Sequence, residues 1–210
     1  MQSFAEKYKF NVYSQNGEDG ILQECLIRMN LVPDQVSCCE FGAHDGRTNS
    51  NTRRLIDLGA KGCFIEADKP LFDRLVDNMG QFSPDSIVLV EVRLSPENIN
   101  QIVPQELDVL SIDVDGNDHR MWSAYSGRAK IVIVEINSSF SPRVLMTGKH
   151  GTSYRVMLKL GMQKGYFLLC HIGNMVFVQN EYKALFPELT SNPVTQADDY
   201  FDYRWINGTF

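Results

Sequence analysis

Val36-Ser37-Cys38-Cys39-Glu40-Phe41-Gly42-Ala43-His44-Asp45-Gly46 decides how the rest of the chain is read. A short apolar run ends in an acid, and a turn carrying Gly42 and Gly46 follows. Asn49-Ser50-Asn51-Thr52 then leads into Arg53-Arg54-Leu55-Ile56-Asp57-Leu58. The order is buried strand, glycine loop and capped helix. Glycine has no Cβ, so such a loop bends sharply and lets a ligand lie against the backbone. A nucleotide-like cofactor is the candidate ligand.

Outward from this unit the pattern repeats. Apolar, largely β-branched runs at 36–41, 62–68, 86–92, 107–115 and 130–137 read as strands. Helical patterns at 51–59, 70–79, 97–103 and 119–125 separate them. Near-continuous apolar strands belong to parallel sheets covered on both faces, and strand–helix alternation gives right-handed crossovers. An irregular connection at 138–150 precedes a helix over 152–164. Runs at 166–171 and 175–178 flank Ile172-Gly173-Asn174 and read as an antiparallel hairpin. The expected fold is α/β, with about seven mostly parallel strands, a terminal antiparallel hairpin and helices on both faces. One domain spans 1–210.

At the N-terminus, Tyr13-Ser14-Gln15-Asn16-Gly17-Glu18-Asp19-Gly20 opens a helix that Ser14 or Asn16 could cap. Gln15, Asn16, Glu18 and Asp19 serve either that cap or a polar lid within residues 1–34. The tail over 181–210 carries Tyr200, Phe201, Tyr203 and Trp205, which could pack on the sheet or on a partner subunit, a homodimer being one option.

The net charge is −6 over 210 residues, without a basic run, which disfavours nucleic acid. No apolar stretch reaches the roughly 18 residues of a membrane span, and no signal peptide is evident. A cytoplasmic location is expected. The five cysteines form no CxxC pair and read as small buried side chains in a reducing compartment.

Ligands of open parallel sheets bind beyond the carboxyl ends of the strands. Glu40, Glu66, Asp113 with Asp115, and Glu135 all fall on that rim. Buried carboxylates are costly unless paired, hydrogen-bonded or on a metal, so four strands ending in acids point to a site. Gly42 and Gly46 are spaced G-x-x-x-G, not the G-x-G-x-x-G of dinucleotide sites. Glu66 stands where an acid accepts hydrogen bonds from a ribose diol. There is no P-loop motif.

Glu40-Phe41-Gly42-Ala43-His44-Asp45-Gly46 resembles the E/D-x-G-x-x-x-G signature of Rossmann-like (class I) S-adenosylmethionine-dependent methyltransferases. Leu110-Ser111-Ile112-Asp113-Val114-Asp115-Gly116 resembles the K-I-D-V-E-G segment of FkbM-type methyltransferases, with Asp115 where that family usually has Glu. The 14–20 opening and Ser50-Asn51-Thr52 are similar to a related bacterial set. The resemblance covers about residues 13–180. It implies S-adenosylmethionine as cofactor and methyl transfer to an oxygen of a sugar or sugar-containing acceptor, as in surface or capsular polysaccharide or glycosylated natural-product pathways. It further implies Glu40, Gly42 and Ala43 along the methionine moiety, with Asp45 nearby. Glu66 would lie on the ribose, Val92 or Arg93 near the adenine, and Gln15 and Asn51 at the amino-acid end. Asp113 would face both cofactor and acceptor.

At the acceptor end, Asp113 and Asp115 point to one face if their strand persists, and Glu135 and Asn137 repeat that spacing. Asp113, Asp115 and Glu135 could hold Mg or Mn, which would activate a hydroxyl. Alternatively the two aspartates only bond the local turn. His119 is a candidate general base or a solvent-facing side chain, His44 and His150 are lesser candidates, and His171 is structural. Phe140, Arg143 and Met146 suit a lid, while Trp122 and Tyr125 suit the core. Two rivals stay open: an NAD-linked enzyme, and a catalytically inactive cofactor-binding or interaction domain.

Overall fold

A computed structural model of the chain describes residues 3–189. The aromatic tail residues Tyr200, Phe201, Tyr203 and Trp205 lie outside the described residues. The strands are β1 (Ser37–Phe41), β2 (Lys61–Glu66), β3 (Ile87–Glu91), β4 (Glu106–Ile112), β5 (Arg128–Glu135), β6 (Tyr166–Ile172) and β7 (Asn174–Gln179). They form one sheet in the order β3-β2-β1-β4-β5-β7-β6. Strands β1 to β5 pair in parallel, and β7 is antiparallel to both β5 and β6. Six strands therefore share one direction and β7 alone opposes them. The expected hairpin is present, but its second strand turns back across Gly173, at φ +101°, and inserts beside β5.

The helices are α1 (Phe4–Tyr8), α2 (Glu18–Arg28), α3 (Arg53–Asp57), α4 (Lys69–Met79), α5 (Ile99–Ile102), α6 (Asp118–Ala124) and α7 (Tyr154–Gln163). Alternating strand residues feed two cores. Cys38 and Val109 join α1–α4 on one face, and Cys39 and Leu110 join α5–α7 on the other. Trp122 is buried against Tyr166 and Phe177, with ring centroids 5.6 and 5.0 Å away. Burying a large apolar side chain contributes about 1.5–3 kcal/mol, so Trp122 and Tyr125 belong to the core as expected. All five cysteines are buried and free. Among the described residues, no helix is long and apolar enough to cross a membrane.

Two local structures differ from expectation at the N-terminus. Helix α1 forms because Ser3 and Glu6 make a reciprocal capping box. Helix α2 begins after Gly17, at φ +114°, without a side-chain cap at that position. Ser14 acts from further back: its hydroxyl accepts the Asp19 amide at 3.0 Å. Asp19 Oδ2 in turn accepts the amides of Val12, Tyr13 and Ser14 at 2.7, 2.8 and 2.9 Å. One carboxylate thereby ties the strap preceding α2 to the helix.

Strand β4 stops at Ile112, short of both aspartates. Asp115 takes φ +51° and Gly116 φ +86°, so the chain turns and the same-face argument for Asp113 and Asp115 fails. Asp118 causes the turn. Its carboxylate accepts the amides of Val114 at 2.7 Å and Gly116 at 3.1 Å.

Candidate functional site

Two cavities open at the carboxyl ends of the parallel strands. The first, of about 820 Å³, lies beyond β1, β2 and β4. Glu40, Gly42, Ala43, Asn51, Glu66 and Asp113 line it. Val92 and Arg93, just past β3, and Arg120 of α6 complete the wall used below. The second, of about 390 Å³, lies beyond β5 and the β6–β7 turn. Asn16, Glu135, Asn137, His150 and Asn174 are on its wall. Asp115 lines both, as the partition between them.

The glycine loop is laced to its neighbours. Ala43 N donates to Ile65 O at 3.1 Å, and Asp113 N to Phe41 O at 3.2 Å. Gly42 sits at φ +66°, and a Cβ there would overlap the Asp113 carbonyl oxygen. Glycine is thus required by the crossing of the β1 loop over the β4 turn, besides opening the cavity.

Glu40 is buried, and its carboxylate accepts from Ser50 Oγ at 2.6 Å, Asn51 N at 2.9 Å and Thr52 Oγ1 at 2.7 Å. Burial raises its pKa, against those hydrogen bonds, which lower it. Its contacts place the 50–52 turn. Within that turn, Asn51 Nδ2 donates to Ser111 Oγ at 3.0 Å, while Asn51 Oδ1 is buried without a hydrogen-bond partner. A buried unpartnered carbonyl on a cavity wall calls for a ligand donor or a water.

Glu66 accepts three backbone amides: His44 at 2.8 Å, Ala67 at 2.7 Å and Asp68 at 2.8 Å. A carboxylate offers about four lone-pair sites, which leaves one acceptor position for a ligand hydroxyl. Asp45 does not line either cavity. Its carboxylate holds Arg47 N, Thr48 N and Thr48 Oγ1. Partial burial raises its pKa, but those bonds win and bring it down to about 2. Asp45 therefore forms the turn that follows the glycine loop.

Asp113, Asp118 and Glu135 bring carboxylate oxygens within 4.8 Å of one another. Asp115, expected in that set, is replaced by Asp118, because the turn rotates Asp115 to the partition. Asp113 keeps more than a third of its surface accessible from the cavity, yet protein encloses it. That enclosure, then the charges of Asp118, Asp115 and Glu40, pushes its pKa up to about 7. Burial, then Asp113 and Asp118, pushes Glu135 up to about 8. Asp118 is also raised, by burial first. Like-charged neighbours this close favour sharing a proton near neutrality.

His119 lines neither cavity, and burial lowers its pKa. It lies on the first turn of α6, half-buried. Gln15 lines the second cavity and not the first. Phe140, Arg143 and Met146 line neither. The connection around them is held by Ser153 Oγ, which donates to Val144 O at 2.9 Å, and by Asn137 Nδ2, which donates to His150 O at 2.7 Å. His150, Lys149 and Gly151 are the part of it that reaches the second cavity. Asp118, a member of the carboxylate cluster, and Ser111, which holds Asn51, support the site from behind its walls, and strand and helix periodicity passed over both. An acid three positions after Asp115, past a glycine, was the available signal for Asp118.

No protein-family model matches the sequence, and no curated protein matches it by sequence. Solved structures do match. A protein of Pyrococcus horikoshii assigned as an RNA methyltransferase superposes with a TM-score of 0.53 at 12% identity, over 78% of this chain and 82% of that one. An assigned methylase of Haemophilus influenzae gives 0.52 at 17% identity, over 77% and 98%. Monomeric WbdD gives 0.53 at 15% identity, over 76% of this chain and 40% of that one. The strand order, the opposed β7 and these superpositions together give the chain the Rossmann-like α/β fold of the methyltransferase class.

Proposed function

We propose that the chain is an S-adenosylmethionine-dependent O-methyltransferase whose acceptor is a sugar hydroxyl or a sugar-containing molecule, as in surface polysaccharide or glycosylated natural-product biosynthesis. The first cavity carries the reading. At about 820 Å³ it falls within the roughly 300–1,000 Å³ of small-molecule sites. It runs from Asn51 past Gly42 to Glu66 and Val92, in the order that the amino-acid end, ribose and adenine of the cofactor require. Asn51 Oδ1, buried and unpartnered, suits the cofactor ammonium. Glu66 has one acceptor position left for a ribose hydroxyl. Arg93 and Arg120 bring positive charge to the same wall. The saccharide acceptor rests on the FkbM-type resemblance of 110–116 and 14–20.

In this reading Asp113 takes the hydroxyl proton as the acceptor oxygen bonds the methyl carbon and the carbon–sulfur bond breaks. A carboxylate with a raised pKa is a stronger base than an ordinary one. Glu135 shares charge with Asp113, and Asp115 separates donor and acceptor sides. The protein's main contribution is alignment in an enclosed site.

Isothermal calorimetry with S-adenosylmethionine and its demethylated product tests the reading. Saturable binding of both is expected, weakened about tenfold or more in Glu66→Ala by loss of one charge-assisted hydrogen bond. Absence of binding at millimolar cofactor, with NAD stabilising the protein instead, would overturn it in favour of the NAD-linked enzyme.

The all-oxygen set Asp113, Asp118 and Glu135 also fits a hard divalent ion. These three would hold Mg or Mn, and the ion would lower the pKa of an acceptor hydroxyl. Excess chelator is then expected to abolish turnover and added Mg or Mn to restore it. Full activity in chelator leaves Asp113 acting alone as the base.

A further inference from the structure

Glu18 is fully buried at the start of α2, yet no cation pairs with it among the described residues. Its partners are amides. Oε2 accepts Asn16 N at 2.8 Å. Oε1 accepts Asn174 Nδ2 at 2.9 Å and Asn16 Nδ2 at 3.4 Å. Both asparagines line the second cavity, whereas Glu18 lies behind them. An acceptor-only carboxylate dictates the flip of each amide. The Nδ2 atoms turn inward, and the carbonyl oxygens are the polar atoms left for the cavity. Gly173 keeps Asn16 in place, since a Cβ there would press on the Asn16 amide.

We propose that Glu18 is a positioning residue which makes the second cavity a site for ligands rich in hydrogen-bond donors, through the carbonyl oxygens of Asn16 and Asn174. Asp115 and Glu135 add carboxylate acceptors to the same wall. Four residues that carry acceptors line one space of about 390 Å³, with Lys149 also on its wall, which suits a group bearing several hydroxyls or an amine. Calling this ligand the methyl acceptor rests on the methyltransferase reading; the donor-binding chemistry does not.

Substitution Glu18→Gln inverts the logic. The glutamine amide donates as well as accepts, so one asparagine must flip and turn its NH₂ into the cavity. The test uses full-length ¹⁵N-labelled protein and two probes, methyl α-glucoside for hydroxyls and glucosamine for the amine. In the wild type, titration of at least one probe is expected to shift the side-chain NH₂ resonances of Asn16 and Asn174. In Glu18→Gln the affinity is expected to fall about tenfold, with one NH₂ pair moved in the free protein. Asn16→Ala, which keeps Glu18 and its stronger bonds to Asn16 N and Asn174 Nδ2, is expected to lose affinity several-fold and decides the matter if Glu18→Gln does not fold. Equal probe affinity in wild type and folded variants, or no shift in the wild type at high millimolar probe, overturns the proposal. Calorimetry with the demethylated cofactor is run on the same samples. Its failure with probe binding intact would remove the methyltransferase reading and leave the donor site standing.

Discussion

Asp113→Asn is expected to cut methyl transfer by about 10²–10⁴-fold, the usual worth of a positioned general base, while cofactor affinity changes little. Asparagine fills the same space and keeps the backbone contacts, so the loss isolates the carboxylate. A burst-and-turnover assay alongside calorimetry separates the two effects. Unchanged turnover would remove Asp113 from the chemistry. The same variant carries a stability signature. Asp113 and Glu135 have folded-state pKa values raised to about 7 and about 8, above the ordinary carboxylate range of about 4 in the unfolded chain. A raised pKa means that the folded state holds the proton more tightly. The stability from these groups is present below about pH 4 and drains away as pH rises toward 8. In chelator-treated protein, the wild type is therefore expected to lose melting temperature between pH 5 and pH 8 relative to Asp113→Asn. At pH 8 the inactive variant should be the more stable one. Parallel melting profiles would show that the acids are not strained.

Gly42→Ala is the second large effect. The site requires φ +66°, and the new Cβ would collide with the Asp113 backbone carbonyl. Left-handed strain and overpacking against rigid backbone together cost about 3–5 kcal/mol. That is a large share of the about 5–15 kcal/mol that holds a domain folded. A drop in denaturation midpoint of that size is expected, with cofactor binding lost in whatever remains folded. Gly80→Ala is the control: Gly80 has φ −61° and ordinary contacts of 3.4 Å and beyond, so its midpoint should barely move.

The parallel strands were legible because runs such as Ile131 to Val134 are apolar without interruption, as in a sheet covered on both faces. Glu40, Gly42, Glu66 and Asp113 were legible as a set because strand ends converge on one rim. What escaped was side-chain service to the backbone. Asp118 bends the chain at 114–116 by accepting two amides, and periodicity carries no record of such bonds. That bend ended β4 early and moved Asp115 out of the acid group. His119 falls outside both cavity linings: residue type suggests a base, but the phase of α6, with Met121 and Trp122 in the core, is not read from residue type. The order of β6 and β7 depends on long-range pairing, to which local pattern is blind.

The turn at Asp115 has a consequence for change over time. Asp115 is the one residue common to the two cavity linings, so outside the Asp113–Glu135 contact one wall can be altered without changing the residues of the other. The first cavity is lined from 40–51 and 66–68 among other segments, and the second from 15–16, 135–139, 149–151 and 173–174. On the proposed methyltransferase reading, exchange of the short 149–151 segment is expected to change which acceptor is taken while the first cavity keeps its lining. The partition makes the fold modular at its own rim.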